Sequence, residues 1–458
     1  MVHCLVLAYP AQGHINPMLH FSNILHQQGV KVTFVTTISF CNNNFHNLPS
    51  SLSLQTISDG FDNGGIHEAG SYRTYLQRFW QVGPNTLADL LHKLHREGDP
   101  VHCVIYDSLF PWPLEVAKRF QIAGASFLTQ NMFVNTIYYH VQHGNLQLPI
   151  TQNQISLPPL PELQRHDMPS FFFPTDADNP ALLDLLVGQF STVDEADWIL
   201  CNSFYDAEKE TWTIPNNLPS MVIDWAKKIW SNFRTIGPCI TSMLLNKPVV
   251  ADDEDEECME WLNGKPKESV VYVSFGSMAE LEEEQVKEIA YGLRDSERYF
   301  VWTMRASVEN KLPKDFEKRS EKGIVVGWCS QIKVLGHEAV GCFVTHCGWN
   351  STLEGLSIGV PMVAVPCWSE QYTNAKLVAD MWKIGIRAKA DEKKIVRREV
   401  LKDCIMEVMK SERGKEVKSN VMELKALAEH AVSEKGTSHE NTVEFLNSLA
   451  ASTQKMRA

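Results

Sequence analysis

The chain has 458 residues, a length suited to two or three domains. Hydrophobic residues make up 44% and charged residues 21%, enough to bury large cores and too apolar for a disordered chain. Basic side chains number 42 and acidic ones 55, a formal charge of −13 that argues against nucleic acid or an anionic membrane as the main partner.

The eleven cysteines are scattered between Cys4 and Cys404 without a C-x-x-C pair. That spacing excludes a zinc ribbon and points to reduced thiols in a cytosol-like compartment. The opening Met1-Val2-His3 runs into Cys4–Tyr9, stopped by Pro10, too short for a signal-peptide core and without a basic flank. No stretch of 18 uninterrupted apolar residues occurs, so no membrane span is expected and the predicted location is cytoplasmic.

The first hundred residues alternate strand and helix. Cys4–Tyr9 reads as a strand buried on both faces of a parallel sheet. Ile15, Met18, Leu19, Ser22 and Leu25 then share one helical face, ending at Gly29. Val30–Thr36 is the next strand and Cys103–Tyr106 a later one, so the fold class is doubly wound α/β.

Between the first strand and its helix lies Ala11-Gln12-Gly13-His14-Ile15-Asn16-Pro17. Gly13 allows a tight turn and Pro17 suits a helix's first turn. His14 is thereby predicted at the carboxyl edge of the sheet, where open α/β sheets bind ligands. The helix dipole there favours a neutral imidazole able to accept a proton. Asp107, at the end of Val104-Ile105-Tyr106, is expected at the same edge. An Asp on one ring nitrogen fixes the tautomer and stabilises the charge formed at the other; its alternative role is to cap the Ser108–Trp112 turn.

The segment 157–174 (LPPLPELQRHDMPSFFFP) carries five prolines and three consecutive phenylalanines, which excludes a regular helix or a central strand. It is either a loop over a pocket or a surface excursion. With Phe133, Tyr138 and Tyr139, Phe171–Phe173 suggests an aromatic pocket. Seven of the ten residues 251–260 are acidic, the mark of a solvated connection. The alternation then restarts at Val270–Ser274, Phe300–Trp302, Ile324–Val326, Gly341–Thr345 and Met362–Val365, and two helices separated near Gly436 close the chain. Two α/β halves are thus predicted.

The most informative segment runs from Trp328 to Gln371. A buried strand ends at Thr345, His346-Cys347-Gly348 turns the chain, and a helix opens at Asn350-Ser351-Thr352-Leu353-Glu354. A strand end feeding a helix N-terminus through glycine suits phosphate, because free N–H groups and the helix dipole both face the anion. His346, Asn350 and Ser351 add side-chain donors. On spacing alone, however, Ser351-x-x-Glu354 is a capping box that would satisfy the helix end without a ligand. By the same standard Trp328 reads as a core residue sooner than as a stacking platform. Asn350-Ser351-Thr352 also fits the N-glycosylation pattern, which a chain without a signal peptide does not expose to that machinery.

This segment resembles the signature box of plant family-1 UDP-sugar glycosyltransferases. Its 44 residues equal that box in length, and Trp328, Gln331, the HCGWNS run 346–351, Glu354, Pro361 and Gln371 fall in register. The resemblance implies GT-B architecture: two Rossmann-like domains, with residues 1–235 binding an acceptor and 263–435 a UDP-sugar. An acidic linker, 236–262, would join them, and a terminal helix, 436–458, would return to the first domain.

It further implies that Trp328 stacks on uracil while the backbone of Cys329 reads its edge, and that Gln331 and Glu354 hold the ribose. His346, Asn350, Ser351 and Ser277 would bind the diphosphate; Trp349, Glu370, Gln371 and Thr129 would contact the sugar. Gln371 looks like the glucose-using version. Glu370 stands where the family usually has Asp, one methylene shorter, and Cys329-Ser330 replaces the commoner Ala-Pro.

The QGHxxP element and Asp107 match the family's base and its orienter, so the implied reaction is inverting glucosyl transfer from UDP-glucose, with His14 as base. Neither candidate site carries Asp-x-Asp, and no metal or other cofactor is expected. The expected partners are UDP-glucose and a small lipophilic acceptor, taken by a monomer without nucleic acid. Segments such as ISDGFDNGG and YDSLFPW resemble the subfamily handling small aromatic acids, terpenoids and steroids.

Three rivals remain at this level. A nicotinamide oxidoreductase lacks its G-x-G-x-x-G, since Pro10-Ala11-Gln12-Gly13-His14 follows the first strand. A non-catalytic binding protein for UDP-sugars or hydrophobic ligands would not need both His14 and Asp107. An epimerase or phosphorylase of the same fold is the third.

Overall fold

The computed structural model describes residues 1–44, 52–173, 180–208, 222–240 and 256–457. In the amino half, β1 (His3–Leu7), β2 (Lys31–Thr37), β3 (Ser53–Ile57), β4 (Cys103–Asp107) and β5 (Ala123–Leu128) lie in one sheet. A short antiparallel pair, β6 (Gln154–Ile155) and β7 (Leu163–Gln164), stands apart, and β8 (Trp198–Cys201) and β9 (Phe233–Thr235) complete the sheet. Its order is β3-β2-β1-β4-β5-β8-β9, all parallel.

The carboxyl half supplies β10 (Val270–Ser274), β11 (Tyr299–Thr303), β12 (Gly323–Val326), β13 (Val340–Thr345), β14 (Met362–Ala364) and β15 (Gly385–Arg387). These form a second parallel sheet, ordered β12-β11-β10-β13-β14-β15.

Side-chain alternation explains why these strands read as uninterrupted apolar runs. Leu5 and Leu7 enter the main core, while Cys4 and Val6 face Met18, Phe21 and Leu25 of the first helix. Val270 and Tyr272 likewise face one core, and Val271 and Val273 the other. Both faces of each sheet are therefore buried, as parallel sheets require.

Each sheet reverses its strand order once, between β1 and β4 and between β10 and β13. Crevices at the carboxyl ends of strands open at such reversals. His14 and Asp107 stand at the first; Gly276, Ser277 and the turn 346–348 stand at the second.

The terminal helix Thr437–Arg457 lies along β9. Arg234 makes a two-pronged pair with Glu444 (2.7 and 2.6 Å), Ser438 donates to the Gly237 carbonyl (2.6 Å), and Phe445 meets Trp198 edge-on.

Two expectations change. Pro17 lies well inside the helix Gln12–Gln27 rather than in its first turn. Of the acidic run, residues 251–255 lie outside the described residues, but Glu256–Asn263 is a helix, not a solvated connection. Its Cys258 and Leu262, one turn apart, are buried in the core, which anchors it. Among the described residues, which include all eleven cysteines, no disulfide forms.

Candidate active site

Asp107 is the last residue of β4 and fully buried. Its Oδ2 lies 2.7 Å from Nδ1 of His14, and its Oδ1 accepts the N–H of Leu109 at 3.0 Å. The two readings of Asp107 therefore coexist: it caps the turn and orients the histidine. A carboxylate at Nδ1 places the proton there and leaves Nε2 basic. Thr129 brings its Oγ1 to 3.3 Å from the same nitrogen.

Burial pulls the His14 pKa down, but Asp107, by charge and hydrogen bond, and Glu370 by charge raise it above the ordinary imidazole value. The two carboxylates thus outweigh burial, in the direction opposite to the neutral ring expected from the helix dipole.

The ring that packs on His14 is not one of those expected to form an aromatic pocket. Phe133 and Tyr138 are fully buried core residues, and Tyr139 packs with His143, Trp225 and Trp230. Beside His14 lies Tyr9, with ring centroids 5.5 Å apart, and Tyr9 continues into Phe110, Phe79 and Trp112. Tyr72, Tyr75 and Phe79 recur at helical spacing in the segment Tyr72–Arg96, a signal the sequence does carry.

Across the crevice, the helix Trp349–Ile358 starts at Gly348, and no side chain caps it. Its first helical bond is Thr352 N–H to the Gly348 carbonyl, so the preceding amides have no helical partner. The predicted capping box does not form, because Ser351 sits three residues inside the helix start rather than at it.

His346 lies between Gly276 and Gly348: a Cβ on either would come within 2.7 or 2.5 Å of its Nε2. Burial lowers the His346 pKa to about 4, so it is a neutral donor at physiological pH. Ser277 is exposed just beyond β10. Asn350 donates from Nδ2 to the Gly13 carbonyl at 2.8 Å, joining the two crevices.

Trp328 is 53% exposed, which favours a platform over a core residue. Beside it Cys329 is buried, its Sγ 3.1 Å from Thr303 Oγ1. Gln331 donates from Nε2 to Ser351 Oγ (2.9 Å) and to Glu354 Oε2 (2.6 Å), so these three residues form one cluster. Burial raises the Glu354 pKa to about 7 against the opposing hydrogen bond from Gln331.

The last group sits where the halves meet. The Trp349 indole is buried and donates to the Asn202 carbonyl at 2.8 Å, which ties its ring to the first half. Gln371 accepts at Oε1 from the N–H groups of Cys367 (2.9 Å) and Trp368 (3.1 Å), which presents its Nε2 as a donor. Glu370 is 9% exposed and accepts from Gln130 Nε2 at 3.1 Å.

The proline-rich segment is no surface excursion. Leu157, Leu160, Leu163, Met168 and Phe172 are buried in it, and it docks on the second half. Buried Asp167 pairs there with Lys376 and Arg387, each at 3.0 Å, and Ser170 exchanges hydrogen bonds with Ser369 (3.0 and 2.8 Å). Pro174 lies outside the described residues. Gln130, Asp167 and Ser170 escaped sequence reasoning because their partners stand about 200 residues or more away.

Residues 205–432 match the family UDP-glucoronosyl and UDP-glucosyl transferase. Mogroside I-E synthase of Siraitia grosvenorii is 42% identical, with 98% of each chain aligned. A flavonol 7-O-beta-glucosyltransferase of Arabidopsis thaliana is 40% identical over the same shares. The chain belongs to the plant family-1 UDP-glycosyltransferases. Among solved structures, Os79 of O. sativa, in complex with U2F and trichothecene, superposes with a TM-score of 0.87. Identity there is 33%, and the match covers 97% of this chain and 100% of that one.

The protein is thus a UDP-glycosyltransferase of GT-B fold, its two parallel sheets facing each other as the resemblance implied. The enzyme's donor is a UDP-sugar, in keeping with the family. Among the described residues no helix is long and apolar enough to cross a membrane, and no three His, Cys, Asp or Glu side chains gather as metal ligands.

Proposed function

We propose that this glycosyltransferase inverts the anomeric centre of UDP-glucose, transferring glucose to a hydroxyl or carboxyl of a small lipophilic acceptor such as a terpenoid, steroid or phenolic. The observation that carries the reading is the 2.7 Å contact between Asp107 and Nδ1 of His14. Nε2 takes the acceptor's proton as its oxygen bonds to the anomeric carbon. The bond from that carbon to the diphosphate oxygen breaks, and UDP leaves with the electron pair. The open amides at the start of Trp349–Ile358 and neutral His346 receive the developing charge, with Ser277, Asn350 and Ser351 as further donors. Charge is then stabilised by the chain itself, without a metal or other cofactor.

In this reading residues 1–235 hold the acceptor, with the aromatic group around Tyr9 and Phe110 beside it. Residues 263–435 hold the donor, 236–262 link the two, and 436–458 return to the first half. Trp328 and the Cys329 backbone take uracil, and Gln331 and Glu354 the ribose diol. Trp349, Glu370, Gln371 and Thr129 take the sugar.

The flavonol 7-O-beta-glucosyltransferase among the relatives supports a small lipophilic acceptor, and its beta product supports inversion. The test is incubation with UDP-glucose and phenolic acids, flavonoids, diterpenoid acids, triterpenols and steroids, read by mass spectrometry and anomeric NMR. Acceptor plus one hexose with a β linkage is expected. An α linkage, or no UDP release with any acceptor, overturns the proposal.

A further inference from the structure

We propose that Gln130 is a donor-sugar positioning residue, which fixes Glu370 so that its carboxylate, together with the Gln130 carboxamide oxygen, reads the sugar hydroxyls. This rests on the assignment of Glu370 to the sugar. Glu370 is one methylene longer than the aspartate usual at its place, and an extra rotatable bond leaves a carboxylate less well aimed. The added length is taken up across the crevice: Gln130 Nε2 donates to Glu370 Oε1 at 3.1 Å, linking residues 240 positions apart.

Gln130 is itself anchored. Its main-chain carbonyl accepts from Asn135 Nδ2 at 3.0 Å and from Cys201 Sγ at 3.4 Å. Next to it in sequence, Asn131 donates to Asn374 Oδ1 at 2.8 Å, and Asn374 lies on the helix Gln371–Lys376 that Glu370 opens. Both ends of the Gln130–Glu370 bond are therefore held by neighbours that do not depend on a ligand.

The other end of the Gln130 amide supplies the second observation. Its Oε1 is buried and, among the described residues, meets no donor. A buried acceptor left without a donor is destabilising, unless a ligand hydroxyl supplies one. Thr129, the residue before it, reaches His14, so this short segment touches the base with one side chain and the sugar carboxylate with the next. A pair made of one amide and one carboxylate offers two acceptors separated by a donor-filled contact. That pattern suits neighbouring hydroxyls of a hexose.

The test compares UDP-glucose with UDP by calorimetry, without an acceptor, in the wild type, Gln130→Met, Glu370→Asp and the double variant. Methionine matches the length of glutamine but makes no comparable hydrogen bonds, and UDP affinity reports whether the donor fold is intact. Gln130→Met is expected to weaken UDP-glucose about tenfold while leaving UDP within about twofold. Glu370→Asp should lose a similar factor, since the shorter side chain cannot reach Gln130, and the double variant should lose little more.

Equal losses for UDP and UDP-glucose overturn the proposal, as do unchanged affinities or fully additive ones. A wild type that binds UDP-glucose no better than UDP overturns it too. Should Gln130→Met fail to fold, Gln130→Asn, too short for the contact, must show the same selective loss. Because binding alone is read, failure of glucosyl transfer leaves the outcome distinct from failure of the catalytic assignment.

Discussion

The Asn350 side-chain amide donates to the main-chain carbonyl of Gly13 at 2.8 Å, tying the segment that carries His14 to the start of the helix Trp349–Ile358, the proposed diphosphate site. Pro17 explains why that carbonyl is available. In a regular helix it would accept the N–H four residues on, and proline has none. A residue costly inside a helix thereby leaves an acceptor for the other half of the molecule. Asn350→Asp presents a carboxylate to this carbonyl in place of a donor. Loss of kcat/KM by at least about tenfold is expected, with the fold retained by circular dichroism. Full activity in this variant would show that the bridge does not help to hold the base.

His14→Ala is expected to lower kcat on hydroxyl acceptors by roughly 10²–10⁴-fold. A carboxylic acid is already ionised at neutral pH, so the loss on such an acceptor should be far smaller. Steady-state rates on one acceptor of each type, in the same preparation, give the ratio. Equal losses on both would argue that His14 acts through binding rather than as a base.

The paired Asp107 raises the His14 pKa against burial, and the neutral ring is the form that accepts a proton. For a hydroxyl acceptor, kcat/KM should therefore climb with pH through an inflection above about 6.5, the unperturbed imidazole value. Asp107→Asn removes the larger opposing charge and leaves burial resisted only by Glu370. The inflection should then move to lower pH while the plateau falls, because the amide no longer fixes the tautomer. An inflection that stays in place would separate Asp107 from the titration.

The parts legible in the sequence share a physical cause. β1, β10 and β13 are central strands with both faces covered, so Cys4–Leu7, Val270–Val273 and Cys342–Val344 are continuous apolar runs. β3 is an edge strand with polar Ser53, Gln55 and Thr56, and β9 has only three residues, so neither gave a comparable signal. Asp107, His14 and the helix start after Gly348 were legible because each stands at or shortly after the carboxyl end of a central strand. The Ser351–Glu354 spacing misled, since the helix begins at Gly348 and turns both residues toward Gln331. Contacts across the halves, such as Gln130 with Glu370 and Asp167 with Arg387, leave no periodic trace in either segment.

Asp167 tests whether the proline-rich segment is held by its charges. It is fully buried, against 14% exposure for the Lys376 side chain and 18% for Arg387. Removing one member of such a group leaves the others desolvated and unpaired, though Lys376 keeps Asp380 at 3.4 Å and Arg387 keeps the His166 carbonyl. Asp167→Ala should thus cost about 2 kcal/mol, a factor of roughly 30 in local opening. Amide hydrogen exchange over residues 163–172 reads this directly, with β1 and β4 unchanged as the internal control. Unchanged protection of 163–172 would assign the anchoring to the buried leucines and Phe172 instead.

Glu354 makes donor binding itself pH-dependent. Burial holds its pKa at about 7 in the free enzyme, and only the carboxylate can accept from both hydroxyls of a ribose. Binding of the nucleotide then favours the ionised form, so affinity should fall as pH drops through 7. Well below that value the loss approaches tenfold per pH unit, and above about pH 8 affinity should be flat. Calorimetry with UDP between pH 5.5 and 8.5 measures the profile. Glu354→Gln should bind weakly at every pH and lose this dependence. Because UDP carries its own ionisable phosphate, the variant and wild type are compared at matched pH, and it is their ratio that must change across 7. A constant ratio would mean that Glu354 does not meet the ribose as a carboxylate.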